Sequence, residues 1–498
     1  MKLDELFPVA GEARIVGDGS VELVDLAYDS RKAGPGTLFF CVVGERVDGH
    51  GFAASVVDAG ASALVVEREL ELDVPQLVVP DARAAMAPVA ARFFGDPTSE
   101  LRVVGVTGTN GKTTTAFLVR EILEGAGIRT GLLGTVKQVV GGVEESVERT
   151  TPEAIDLQGT FRRMLEAGDE ACAMEVSSHA MSLRRADAID WRVALFTNLT
   201  QDHLDFHADM EDYFLAKRKL FEARPRSRVV NVDDECGRRL AKEFECVTFS
   251  AAGREADFSA RDVSFDAAGA SFVVCAESQA LKRAVREADC VGPDEFAVRT
   301  NLPGDFNVAN ALGAIAAAVQ MDVAARKAGD MLALAARVPG RFEPIDEGQG
   351  FSVLVDYAHT PDSLENVLRA ARRLTAGRLI SVFGAGGDRD RDKRPKMGRA
   401  GAELSDLAVV TSDNPRSEDP WEIVAEVAAG AGEGGEVEIE VDRRAAIALA
   451  LRRSAPGDTV VIAGKGHEQG QELEGGRKIP FDDREVAREE LRKLGSPA

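Results

Sequence analysis

The sequence predicts an α/β protein of three domains. These are an N-terminal α/β domain over residues 1–98, a central domain over 99–337 with a parallel sheet and a P-loop-type turn, and a C-terminal Rossmann-like domain over 338–498. Three observations predict it. A chain of 498 residues exceeds what one hydrophobic core can organise. Two loop-like joints divide it, one at "GDPTSE" and one at "RVPGRFEP", where Pro339-Gly340 cannot continue a helix or strand. Apolar strands alternate with helical patterns after the first joint, and the alternation restarts after the second.

Residues before the first joint contain short β-like runs, "TLFFCVVG" and "ASALVVE", separated by glycine turns. From "LRVVGVTG" onward come "ACAMEVSS", "VALFTN" and "SRVVNVDDE", with helical segments between them, the signature of a parallel sheet. Beyond Pro339 the strands read "FSVLVDYA", "RLISVFGAGG", "LAVVTSDNP", "VEIEVD" and "DTVVIAGKG". The polar residues of interest fall where these strands end, the place where open α/β sheets bind ligands.

Bulk composition excludes several classes. The chain is 45% apolar and 29% charged, with neither a low-complexity tract nor a repeat of 20 to 50 residues, as expected of ordinary globular folding. A formal charge of -23 argues against sequence-independent nucleic-acid binding, because phosphate backbones reward Lys and Arg and are repelled by this surface. Cys41, Cys172, Cys236, Cys246, Cys275 and Cys290 form no C-x-x-C pair and read as reduced, packed thiols. The N-terminus lacks the order of a signal peptide, and no run of about 18 apolar residues could span a bilayer. The expected protein is soluble, cytoplasmic and without membrane insertion.

"GVTGTNGKTTT", residues 105 to 115, resembles a phosphate loop but carries Val106 where the common P-loop spacing needs glycine. Its context is nevertheless that of a phosphate site: a buried-type strand over 101–106, a glycine turn, then a helix with Val119, Ile122 and Leu123 on one face. In that arrangement backbone N–H groups and the helix dipole meet an anion. Lys112 would reach the β- and γ-phosphates, and Thr113 would hold Mg²⁺. Further metal ligands are available at the strand end Glu175 and in "FTNLTQDHLDFH", which carries Asn198, Asp202, His203, Asp205 and His207. The four-residue spacing of His203 and His207 admits a zinc site as the rival, and His207 reads equally well as a hydrogen-bonded histidine.

In "DMEDYFLAKRKLFEARP" the residues Met210, Tyr213, Phe214, Leu220 and Phe221 fall on one helical stripe, with Lys217 in its middle. A lysine on an apolar face usually snorkels. One at the centre of the stripe must be neutralised, paired or modified, because a buried unpaired ammonium is costly.

Loop, acidic strand end, D-H-x-D-x-H and central lysine together resemble the Mur ligase family of cell-wall amino-acid ligases, over nearly the whole chain. The family's loop reads T-G-T-N-G-K-[ST], as residues 107 to 113 do. The resemblance implies ATP contacts from Gly108, Thr109, Asn110, Gly111, Lys112, Thr113 and Thr114, continued by Asn307 and Asn310 near the adenine, Arg341, and Asp356 at the ribose with His359 beside it. It implies Mg²⁺, expected as two ions, on Thr113, Glu175 and His203, with Lys217 carbamylated by CO₂ to N6-carboxylysine as a further ligand. Lys112, Glu175, His203 and Lys217 are thereby the expected catalytic group.

The N-terminal "YDSR" and "GTLFFCVVGERVDGHGF" resemble the UDP-sugar domain of the family's diaminopimelate-adding branch, with Ser30 at the uridine. Thr150, Thr151, Ser177 and Arg185 match its contacts to the muramyl peptide, while Leu183 departs from a usually polar position. "TSDNPRSEDP" supplies Asp413, Asn414, Pro415 and Arg416, which with Arg389, Gly464 and Glu468 match the diaminopimelate contacts. A guanidinium can grip that amino acid's distal carboxylate, which lysine lacks. The basic run 389–399 is accordingly expected to face substrate and phosphate.

The implied reaction joins UDP-N-acetylmuramoyl-L-alanyl-D-glutamate to meso-diaminopimelate with ATP, through an acyl phosphate, as the third domain closes over the second in a monomer. Alternatives are the same ligation with L-lysine, a folylpolyglutamate synthetase, or an ATP-driven binding module that performs no ligation.

Overall fold

The computed structural model describes residues 1–9, 12–44, 47–147, 149–277, 294–432 and 434–495. Cys290 lies outside them, and the other five cysteines are free thiols. The chain divides into two compact units: residues 1–105, 128–194 and 219–226 form the first, and 106–127, 195–218 and 227–498 the second. Strands Arg102–Thr107 and Trp191–Phe196 each begin in the first and end in the second.

The first unit contains a five-stranded sheet in the order Arg14–Val16, Gln76–Val78, Ala63–Val66, Thr37–Phe40, Asp25–Ala27. Only its first pair is antiparallel. The unbroken apolar runs of its central strands are explained by burial on both faces. Leu38, Phe40, Ala63 and Val65 pack into one core, and Phe39, Cys41, Leu64 and Val66 into another. The same unit holds Ala171–Glu175 parallel to Thr130–Leu133, so the strand ends at Glu175 as its sequence suggested.

In the second unit, Ser227–Asn231, Val247–Ser250 and Phe258–Asp266 run parallel, and then Gly269–Ala276 and Asp294–Thr300 add antiparallel strands. This antiparallel extension adds to the parallel sheet that the alternation predicts. Its turn forms because the Asp266 carboxylate accepts from the backbone of Ala268 and Gly269.

The C-terminal sheet has the order Glu343–Pro344, Ser352–Asp356, Thr459–Ala463, Leu379–Phe383, Leu407–Val410, Glu436–Ile439, parallel after the first short strand. Period-two alternation sends Leu354, Phe383 and Val461 to the helices Pro361–Leu374, Lys393–Leu404 and Pro420–Ala429. Val353, Val355, Ile380, Val382 and Ile462 face Arg443–Arg452 and Asp483–Gly495 on the other side. Helices on both faces make this the doubly wound sheet the alternation predicts, with Asp356, Val410 and Ala463 ending strands at one edge. Among the described residues no helix is long and apolar enough to cross a membrane.

A fully buried ion pair ties the last helix to this sheet. Arg443 meets both oxygens of Asp483 at 2.8 and 2.7 Å and donates to the carbonyls of Ser412 and Ala463. Truncating one partner strands a buried charge, so Asp483→Ala is expected to destabilise the second unit by about 3–5 kcal/mol, read from the denaturant midpoint of its unfolding.

Candidate active site

The loop after Arg102–Thr107 is shaped by glycines at close approaches. A Cβ on Gly108 (φ +148°) would lie 1.9 Å from Thr197 Oγ1, and one on Gly111 (φ +85°) 2.3 Å from Asn310 Oδ1. Gly111 is also the left-handed residue that turns the chain into the helix Lys112–Gly125, whose apolar face is buried. The Asn110 backbone N–H donates to Asn198 Oδ1, and its side chain donates to Asp362 Oδ2 at 2.8 Å. Thr109 Oγ1 donates to Thr200 O and lies 3.1 Å from the Tyr213 hydroxyl. Thr114 is buried in the first turn of that helix. Lys112 Nζ donates to the carbonyls of Gly108 and Thr109, at 3.0 and 2.8 Å.

Lys217 sits where the stripe puts it, 1% exposed among Tyr213, Phe214, Leu220 and Phe221. Its Nζ donates to the same Gly108 carbonyl at 2.8 Å and lies 4.4 Å from the Tyr213 ring centroid. Burial first, and then the charge of Lys112, push its amine well below the usual lysine range, against the pull of Asp202.

Asp202 is buried beside His203, Lys393 and His359. Burial opposes its ionisation, but those three neighbours hold it below the usual carboxylate range. His203 occupies the left-handed region (φ +57°), its ring 3.4 Å from Asp202. His207 is buried with Nδ1 3.1 Å from Asp212 Oδ2, the hydrogen-bonded role the spacing allowed, and burial lowers its pKa.

Arg341 Nη2 donates to Thr113 Oγ1 at 2.8 Å, and its guanidinium lies 4.5 Å from the Tyr357 ring centroid. Asp356, whose pKa burial raises, accepts from the backbone of Phe342 and Ala358. Asn307 donates to Pro303 O and accepts from Asn310, whose Oδ1 accepts from Thr115. His359 Nδ1 lies 2.8 Å from Tyr357 O. The loop, Thr113, Lys217, His203, both asparagines, Arg341 and Asp356 thus all belong to the second unit.

Glu175 belongs to the first unit, where it accepts from the Thr135 N–H at 2.7 Å and the Thr135 hydroxyl at 3.2 Å. Thr150 accepts from Thr135, Thr151 donates to Glu175 O, and the Ser177 hydroxyl caps its short helix by accepting from Ala180 N. Arg185, Arg149 and Arg83 converge on the buried Glu153 carboxylate, at 2.9, 3.1 and 3.4 Å. Three guanidiniums on one carboxylate leave positive charge suited to an anionic ligand. Leu183 ends the Ser177-capped helix, and Ser30 opens a short 3₁₀ turn capped by Asp29.

The Asp413–Arg416 segment follows strand Leu407–Val410 and rests on a buried lysine. Lys465 Nζ donates to Asn414 Oδ1 and Glu468 Oε2, both at 2.8 Å, and lies 3.6 Å from Asp413. Burial opposes ionisation of Asp413, yet Lys465 and Arg443 hold it below the usual range. A Cβ on Gly464 (φ +124°) would lie 2.5 Å from Asp413 Oδ2, so only glycine admits this approach. Pro415 O closes over Gly387, and Arg416 Nη1 donates to Gly387 O at 2.7 Å.

The basic run 389–399 divides instead of presenting one face. Arg389 lies 3.7 Å from Asp205, and Lys393 3.7 Å from Asp202. Arg394 is fully buried on Glu418 and Glu426, and Arg391 pairs with Glu426. Composition alone could not show that two of these cations are internal struts.

The chain matches the Mur ligase middle domain over residues 106–318, the Mur ligase glutamate ligase domain over 340–466, and the Mur ligase family catalytic domain over 24–94. It is 47% identical over 492 residues to the UDP-N-acetylmuramoyl-L-alanyl-D-glutamate--2,6-diaminopimelate ligase of Streptomyces coelicolor, covering 96% of this chain and 94% of that one.

The chain belongs to the Mur ligase family.

An enzyme of the same name from Clostridium tetani is 40% identical over 502 residues, covering 99% of this chain and all of that one. A solved ligase structure, also of that name, aligns over the full length of both chains with a TM-score of 0.69 and 31% identity. A MurF ligase of Thermotoga maritima in complex with ADP shares the fold at a TM-score of 0.60 and 18% identity, over 95% of this chain and 97% of that one. As a Mur ligase the chain is an ATP-dependent, peptide-forming ligase of small-molecule substrates.

Sequence reasoning missed Asp362 and Lys465, and took Lys393 only as one of a basic run, not as the partner of Asp202. Lys465 left a signal, a lysine between two glycines directly after an apolar strand, whereas Asp362 and Lys393 sit on ordinary helical turns. Gly111→Ala is expected to weaken ATP binding at least about tenfold, since it adds left-handed strain to the clash with Asn310. Calorimetric titration with ATP checks this.

Proposed function

We propose that this Mur ligase joins the γ-carboxylate of the D-glutamate in UDP-N-acetylmuramoyl-L-alanyl-D-glutamate to an amine of meso-diaminopimelate, releasing ADP and phosphate. The Asp413–Arg416 segment carries the substrate choice. Its Arg416 guanidinium and, from the chain after strand Thr459–Ala463, the Glu468 carboxylate that meets Asn414 supply the charge pair that a substrate with a distal carboxylate and amine rewards. The names of the diaminopimelate ligases it resembles support the reading. L-Lysine would leave Arg416 without its anion.

A carboxylate cannot expel oxide, so ATP first converts it to an acyl phosphate, which the amine then attacks. Lys112 would leave the Gly108 and Thr109 carbonyls for the transferring phosphoryl group, and the loop amides would cradle its oxygens. Arg341 and Asp356 would orient the nucleotide, with Asn307 and Asn310 by the adenine. Ser30, Thr150, Thr151, Ser177 and Arg185 would hold the UDP-muramyl peptide, its anionic groups drawn by the arginines around Glu153. Arg389 and Gly464 would complete the amino-acid site.

The Thr113 hydroxyl and the Glu175 carboxylate are oxygen donors of the kind magnesium takes, and the His203 imidazole, a borderline nitrogen donor, is assigned to it by the family resemblance. When bound, magnesium would neutralise charge on the phosphates. Lys217 would serve as a carbamate. Its buried amine, pushed towards the neutral form that attacks CO₂, supports this, and a carbamate would replace an ill-placed cation with an anionic ligand. The three-domain division at 98/99 and 337/338 and a cytoplasmic location complete the proposal.

Two measurements test it. Incubation with ATP, the UDP-muramyl dipeptide and an equimolar mixture of meso-diaminopimelate and L-lysine is expected to give a product heavier by one diaminopimelate less one water, and ATP should not be consumed when the dipeptide is withheld. A lysine-only product would reverse the substrate assignment. Lys217→Ala is expected to lower kcat by at least about a hundredfold, with partial rescue by short carboxylates, and to remove the carbamate carbon signal from enzyme equilibrated with labelled CO₂.

A further inference from the structure

Arg416 is held from behind by a feature that the ligand-facing residues do not include. Strands Gly470–Glu472 and Lys478–Pro480 form a two-stranded hairpin, in which Glu472 pairs with Lys478. The inner strand bonds to almost every residue of the 412–416 segment. Gln471 Nε2 donates to Asp413 O at 2.6 Å and to Ser412 Oγ at 3.3 Å. Glu472 N donates to Asn414 Oδ1 at 2.9 Å, and Arg416 N donates to Glu472 O at 3.1 Å. Arg416 Nε in turn donates to Glu472 Oε2 at 3.0 Å.

These contacts fix a residue that would not hold its shape alone. Arg416 occupies the left-handed region (φ +53°), which a non-glycine residue keeps only where its surroundings over-determine it. Its planar fork has two of its three nitrogens taken, Nε by Glu472 and Nη1 by Gly387 O. Nη2 and the outer edge of the fork face no acceptor among the described residues. Gripped at Nε from one side and at Nη1 from the other, the guanidinium has its plane fixed, and Nη2 with the second hydrogen of Nη1 forms the end that can take a carboxylate at two points.

We infer that Glu472 is a positioning residue for amino-acid specificity. Its carboxylate sets the plane of the Arg416 guanidinium so that the free edge receives the distal carboxylate of the incoming amino acid. This rests on the diaminopimelate reading above. Two effects of Glu472 oppose each other: its charge partly cancels the attraction of Arg416 for an anion, while its hydrogen bond fixes the direction of the fork. Direction governs here, because a misdirected fork loses a two-point contact and not merely a fraction of a screened charge.

The test uses the full-length enzyme, with Glu472→Ala, Glu472→Gln, Arg416→Ala and the double variant. Glu472→Ala is expected to raise KM for meso-diaminopimelate about tenfold, with KM for ATP and the melting temperature unchanged. Glu472→Gln keeps an acceptor oxygen and should stay within about threefold of wild type. Adding Glu472→Ala to Arg416→Ala should change nothing further, since Glu472 acts through Arg416. An unchanged or lowered KM for diaminopimelate in Glu472→Ala would overturn the inference, the lowered value marking Glu472 as a competitor of the substrate. Equal rises in both KM values would overturn it as a general structural effect. Wild-type enzyme that forms no diaminopimelate product would instead overturn the substrate reading, and this inference with it.

Discussion

Two lysine amines converge on one backbone oxygen, the carbonyl of Gly108, and much of the glycine-rich loop is arranged around that meeting. Lys112 reaches it from the first turn of the loop's own helix, at 3.0 Å, and Lys217 from the apolar face of another, at 2.8 Å. Two ammonium groups that share a buried acceptor repel each other. Lys217 feels the stronger push towards its neutral form, because it is the more deeply buried and lies in the field of Lys112. Gly108 can host the meeting only without a side chain, since Thr197 fills the place of its Cβ.

The cluster around Asp413–Arg416 follows the same logic with the signs reversed. Asp413, Glu468 and Asn414 gather on the buried ammonium of Lys465, with Arg443 behind them locked on Asp483. Buried charges of both signs are tolerated because each is paired and hydrogen-bonded, and removing one leaves its partner stranded. The geometry they hold is rigid enough to keep Arg416 in a left-handed conformation. Rigid support under a planar guanidinium turns a charge attraction into a directional one.

Between these ends, the nucleotide loop and the C-terminal sheet of the second unit are joined by specific side chains. Arg341 holds the Thr113 hydroxyl, Asp362 holds Asn110, and Lys393 and His359 flank Asp202. Any displacement of the sheet against the loop must exchange these contacts. A change at Thr113 or Asn110 is thereby felt by the C-terminal sheet that carries the Asp413–Arg416 segment.

Some of this was legible in the sequence for definite physical reasons. The glycine turn before the helix at Lys112, the strand ending at Glu175, the helix bearing Lys217 and the doubly wound C-terminal sheet are written in local periodicity and glycine spacing, which act over a few residues. The antiparallel extension after Phe258, the burial of Arg394 and the splitting of the basic run were not. A charged residue's place depends on partners distant in the chain, as Arg394 depends on Glu418 and Glu426. By itself the sequence determined the elements, the loop and the identities of the chemical groups, because those rest on local backbone preference and residue type. Only the tertiary structure decided that Lys217 and Lys112 share one carbonyl, that Lys465 underlies Asp413, and that Glu472 backs Arg416, because such pairings are made by long-range packing that no local pattern records.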